Sequence, residues 1–133
     1  MTAIDSSVAV AAVSAWHPAH RRADPAAQGC TIAAHALVEV YSVLTRLPTD
    51  QRVDPADAHA VLTARFPADQ ILSASRSLQR QYVNTLFRAG ISGGAVYDGL
   101  IALVAREHGE QLLTLDARAA RTYRALGIDF EEV

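Results

Sequence analysis

Four carboxylates stand inside apolar segments of this 133-residue chain. Asp5 follows Thr2-Ala3-Ile4, and Glu39 interrupts Leu37-Val38 and Val40. Asp98 lies within Val96-Tyr97-Asp98-Gly99-Leu100-Ile101, and Asp116 closes Leu112-Leu113-Thr114-Leu115. Acidic side chains are almost never fully buried without a partner. Several of them held together raise one another's pKa unless a cation neutralises the charge. Hard divalent cations such as Mg²⁺ and Mn²⁺ take oxygen ligands, so a metal-binding acidic site is the chemistry these residues suggest. Two such ions, roughly 3.5–4 Å apart, clamp the attacking and leaving oxygens of a phosphodiester. That reaction needs no protein nucleophile and no lysine, and all twelve basic residues of this chain are arginines.

The elements that must position these acids are legible as an alternation of strands and helices. Residues 3–4 end a first strand, and Ser6 or Ser7 is the expected cap of a helix through Val8, Val10 and Val13 to about Trp16. Residues 17–29 read as a surface connection or broken helix, and 31–33 as a second strand. Leu37, Val40, Tyr41, Leu44 and Leu47 recur at helical spacing until Pro48. Asp54-Pro55 opens a helix to about Phe66, and residues 71–72 form a short strand. A helix through Leu78, Tyr82, Leu86 and Phe87 ends at Gly90. Another spans about 96–108, followed by a buried strand at 112–115. A last helix from Asp116 to about Leu126 leads to a final strand at 128–130. This order predicts an α/β fold with a small, mainly parallel central sheet. In such a sheet the carboxyl ends of the strands form the ligand crevice, where Asp5 and Asp116 would emerge. Glu39 and Asp98 lie on helix faces shared with Ala36 and with Ala102 and Ala105, leaning toward the buried side.

Each acid also has a plainer reading. Asp5 and Asp116 can cap the helices that follow them, Asp98 can complement a helix dipole, and Glu39 can pair with an arginine. The metal reading accounts for all four together.

Composition bounds the rest. The length suits one domain, residues 1–133, and a half-hydrophobic composition allows a sizeable core. Cys30 is alone, which excludes an intrachain disulfide and a cysteine zinc site. With no signal-peptide pattern and no bilayer-length apolar run, the expectation is a soluble cytoplasmic protein without membrane association. A formal charge of −2 argues against a general DNA-coating protein.

Strand-Asp (Ile4-Asp5-Ser6-Ser7), helix-Glu (Leu37-Val38-Glu39-Val40-Tyr41), helix-Asp (Val96 to Ala102) and strand-Asp (Leu113-Thr114-Leu115-Asp116) together resemble PIN-domain ribonucleases. They are most similar to the VapC toxins of bacterial toxin–antitoxin pairs. The resemblance implies a three-layer α/β/α sandwich, usually homodimeric, that hydrolyses RNA with Mg²⁺ or Mn²⁺. It maps the acidic quartet onto Asp5, Glu39, Asp98 and Asp116 as metal-binding catalytic residues, with Asp116 the most variable. It adds Ser7, Ser6 less so, and Thr114 as supports behind the ligands. It also implies a small DNA-binding antitoxin as partner.

Other signals are weaker. Arg118, Arg121 and Arg124 recur every three residues after Asp116, and Arg118 and Arg121 are candidate RNA contacts. His17 and His20 lack a third ligand nearby, and His35, His59 and His108 have no obvious partner. Tyr41, Leu44 and the helix around Tyr82 are candidates for a dimer face. Two alternatives compete with the nuclease. An aspartyl-phosphate protein of receiver or phosphatase type normally requires a lysine, which is missing. A non-catalytic PIN-like binding module would not bind metal.

Overall fold

A computed structural model describes residues 1–133. Its order is β1 (Thr2–Ile4), α1 (Ser6–Val13), α2 (His20–Ala26), β2 (Thr31–Ala33), α3 (Ala34–Thr45), α4 (Pro55–Arg65), a 3₁₀ turn (Ala68–Gln70), β3 (Ile71–Leu72), α5 (Arg76–Arg88), α6 (Ala95–Glu107), β4 (Gln111–Thr114), α7 (Ala117–Ala125) and β5 (Phe130–Glu132). The five strands make one sheet in the order β3-β2-β1-β4-β5, and every pairing is parallel. The inner strands are short and apolar because both of their faces are covered. Ile4, Ile32 and Leu112 are fully buried. Helices α1 to α4 pack against one another in one set, and α6 packs with α5 and α7 in another. These sets are the outer layers of an α/β/α sandwich.

The strand order places a topological switch between β1 and β4. From β1 the chain builds outward through β2 and β3, then returns to the other side of β1 with β4. In open parallel sheets this switch opens the crevice at the carboxyl ends of the strands. The register Ile4 opposite Leu113, with Asp5 N–H donating to the Leu113 carbonyl at 3.1 Å, brings the ends of both strands to one level.

Differences from the sequence reading trace to caps. Helix α1 stops at Val13, where the Ser14 N–H turns back to the Ala11 carbonyl, so Trp16 lies outside it. The final strand begins at Phe130, because the Gly127 and Ile128 N–H groups close the end of α7 on the Arg124 and Tyr123 carbonyls. Gly127 takes φ +67° to make this turn, as a Schellman-type end requires. Leu44 belongs to the core, which removes it from any dimer face. No helix is long and apolar enough to cross a membrane.

Candidate active site

Asp5 is the first residue past β1 and is buried. Its backbone is extended, and its Oδ1 accepts from the Val8 N–H at 3.2 Å, making it the N-cap of α1. The cap therefore belongs to Asp5 and not to Ser6 or Ser7, whose residues are already helical. Both serine hydroxyls are thereby freed for other work. Ser7 Oγ donates to Asp5 Oδ1 at 2.5 Å and accepts from the Leu115 N–H at 2.9 Å. Ser6 Oγ donates to Glu39 Oε2 at 2.8 Å. The second oxygen of Asp5 accepts from the Tyr123 hydroxyl at 2.8 Å, in a fully buried bond across the sheet. Burial pushes the Asp5 carboxyl above its usual range, and donors from Ser7, Thr114, Tyr123 and the Val8 N–H only partly offset it. The Tyr123 phenol is held far up, first by burial and then by the Asp5 charge, so it remains a donor.

Asp116 is the N-cap of α7. Its Oδ1 accepts from the Arg118 N–H at 2.8 Å and the Ala119 N–H at 3.4 Å, while its own N–H donates to Thr114 Oγ1 at 3.0 Å. The plainer capping reading thus holds for both strand-end aspartates, and capping fixes which way their carboxylates face. Glu39 lies one turn after His35 on α3. His35 Nε2 stands 3.3 Å from Glu39 Oε1, a close approach whose alignment does not make a hydrogen bond.

Asp98, in the first turn of α6, differs from the other three. No protein donor tempers its charge. Its carboxyl is pushed up to about 6, first by burial and then by repulsion from Asp116, Glu39 and Asp5. Asp5, Glu39 and Asp116 therefore all lie near enough to Asp98 to raise it. They do not close into a ready-made cage, since no three metal-ligating side chains stand at metal-holding distances. Like charges keep apart, and Asp5, Glu39 and Asp116 are each tied to donors of their own. The donor set is nonetheless all hard oxygen, and its excess negative charge suits a divalent cation.

Thr114 is buried beneath this cluster, 3.5 Å from Ser7 Oγ. Arg118 and Arg121 are exposed on α7. Arg124 is committed elsewhere, 3.7 Å from Glu132 and over the Phe130 ring. His17 accepts from the Ala19 N–H and His20 holds the Ala11 carbonyl, so their pairing is structural. Sequence reasoning missed Tyr123 and the part played by His35. Signals for both were present: Tyr123 falls seven residues after Asp116, two turns along one helix face, and His35 falls four before Glu39.

A family signature described as PIN domain matches residues 2–125. The chain is similar to Ribonuclease VapC27 of Mycobacterium tuberculosis (strain ATCC 25618 / H37Rv), at 46% identity over 95% of this chain and 92% of that protein. Similarity to Ribonuclease VapC40 of M. tuberculosis (strain CDC 1551 / Oshkosh) is 40% identity over 100% of this chain and 99% of that one. Two solved structures share the fold at 17% identity. One is FitAB bound to an IR36 DNA fragment, with a TM-score of 0.73 over 99% of this chain and 94% of that chain. The other is VapBC2 from Rickettsia felis bound to a DNA fragment from its promoter, with a TM-score of 0.67 over 99% of this chain and 98% of that chain. A parallel sheet with its switch between β1 and β4, acids gathered at that switch, and near full-length similarity to two VapC ribonucleases lead to one assignment: the chain belongs to the PIN-domain family, in its VapC branch.

Proposed function

We propose that this protein is a metal-dependent endoribonuclease, the toxin of a toxin–antitoxin pair, acting on cytoplasmic RNA. The observation that carries the reading is Asp98: a half-buried carboxylate with no protein donor, raised to about 6 amid three other acids. Its place in the first turn of α6 complements the helix dipole, but a dipole does not account for three other acids around it. Asp5, Glu39, Asp98 and Asp116 would hold Mg²⁺ or Mn²⁺, which supplies Lewis acidity toward the phosphate and a more acidic bound water. The chain's own part is orientation. Tyr123, Ser7 and the Val8 N–H fix Asp5, Ser6 and His35 flank Glu39, and the N-terminus of α7 aims Asp116. Arg118 and Arg121, exposed beyond Asp116, would take neighbouring phosphates of the strand. Water replaces the 3′-oxygen at phosphorus, leaving a 5′-phosphate and a 3′-hydroxyl.

The partners in this reading are an RNA substrate, a small DNA-binding antitoxin and a second copy of the chain. For the second copy, α5 offers an apolar face at Val83 and Phe87, which are 81% and 77% exposed. The test is cleavage of RNA by purified protein with Mg²⁺ or Mn²⁺, with EDTA, and after Asp98→Asn. Cleavage that needs the ion and falls at least a hundredfold in the variant is expected. Full activity in EDTA, or in Asp98→Asn, would sink the assignment, and failure to bind Mn²⁺ would favour a non-catalytic module.

A further inference from the structure

Tyr97 immediately precedes Asp98, and 52% of its surface is open to solvent. A side chain this exposed has little packing of its own to hold it still. Its ring runs parallel to the His35 imidazole in an offset stack, with planes 5° apart and centroids 5.6 Å apart. His35 is placed in turn by α3, with Nε2 close to Glu39 Oε1. The stack thus bridges α3 and α6, the two helices that carry Glu39 and Asp98. Beside His35 opens a cavity of about 550 Å³, whose walls include Gln79, Tyr82, Leu100 and Val104. That volume lies within the range of small-molecule sites, about 300–1,000 Å³. Gln79 Nε2 donates to the Ala74 carbonyl at 3.1 Å, which fixes the amide and leaves its oxygen free to accept.

An exposed aromatic face beside an acidic, phosphate-cutting centre is suited to one part of an RNA strand. Successive side chains on a helix do not face each other, so Tyr97 is tied to the acids through His35, which stacks on its ring and stands beside Glu39. Bases stack on aromatic side chains whatever their identity, because each has a π-face. We infer that the His35–Tyr97 stack seats an unpaired nucleobase next to the scissile phosphate, and that the cavity beside His35 gives the strand room on that side. The inference rests on the nuclease reading above and adds to it the side chains that receive one base of the strand. A paired base is stacked within its helix and presents no free face.

The test uses the full chain carrying Asp98→Asn, which removes cleavage so that binding is read alone. Fluorescence anisotropy measures short single-stranded RNAs, one intact and others with a single abasic nucleotide placed in turn along the strand. Tyr97→Ala is expected to weaken binding of intact RNA about tenfold, and Tyr97→Phe, which keeps the ring, to recover most of that loss. At one abasic position the Tyr97 parent should lose a similar factor while Tyr97→Ala loses little more, showing that ring and base act as a pair. Equal affinity of the parent and Tyr97→Ala, or the same further loss in both at every abasic position, overturns the base seat. If the wild-type chain still cleaves RNA in that case, the nuclease reading stands. No binding or cleavage of RNA by the wild-type chain overturns both.

Discussion

Asp98 lacks the donors that its three companions have, and its cost to the fold can be measured. Its carboxyl moves from the ordinary 3.8 to about 6 in the folded chain. The native state therefore holds this proton more tightly than the unfolded chain does. Between about pH 4 and 6 the unfolded state ionises first, so stability falls as pH rises through that window and stays lower above it. Asp98→Asn cannot ionise. In metal-free buffer it should melt above wild type at pH 7–8, with the gain fading toward pH 4, as calorimetry in a pH series would show. Asp5 is the opposite case, a buried acid with donors on both oxygens. Tyr123→Phe keeps the ring and removes only the hydroxyl, leaving Asp5 Oδ2 without its donor. The expected loss is about 1–3 kcal/mol in urea denaturation. At this scale the acids were readable, because a charge inside an apolar segment is conspicuous. Tyr123 was not, because a tyrosine on the inner face of a helix looks like any core aromatic until its hydroxyl is seen to reach a residue 118 positions away.

Among the elements, α6 has the tightest constraint. Gly99 follows Asp98 and faces α5, and a Cβ built there would come 2.5 Å from Leu86 Cδ2 and 3.6 Å from Leu126 Cδ1. A methyl is met by the swing of one leucine tip, and alanine's better helix propensity offsets part of that strain. A branched side chain has no such outlet. Gly99→Val should destabilise by about 1–3 kcal/mol in thermal or urea unfolding, and by shifting the first turn of α6 it should also lower cleavage. Helix and strand identities were readable from period and punctuation: Asp54 caps α4 through the Ala56 N–H, and the two-residue β3 lies where Ile71-Leu72 suggested. Element ends were less so. The start of β5 and the end of α1 depend on which N–H closes on which carbonyl, and residue type alone does not fix that choice.

For the molecule as a whole, the parallel sandwich followed from the alternation of elements, but strand order did not. The sequence does not say that β4 inserts beside β1, and that insertion gathers the acids. The surface left over includes the face made by Val83 and Phe87 of α5 with Ile91 just beyond its end. Phe87→Glu would place a charge at its centre. Wild type is expected to run as a dimer and the variant as a monomer in size-exclusion chromatography with light scattering, with unchanged circular dichroism. A monomeric wild type would remove α5 as an interface. The insertion of β4 also governs when the centre comes into being during translation. Asp5 is made more than a hundred residues before its partners: the strand beside it, the cap of α7 and the hydroxyl that steadies its second oxygen all come from residues 111–123. A nascent chain lacking that stretch holds Asp5 without the strand, the cap and the hydroxyl that surround it. The pocket around Asp5 is therefore assembled only once residues 111–123 have emerged.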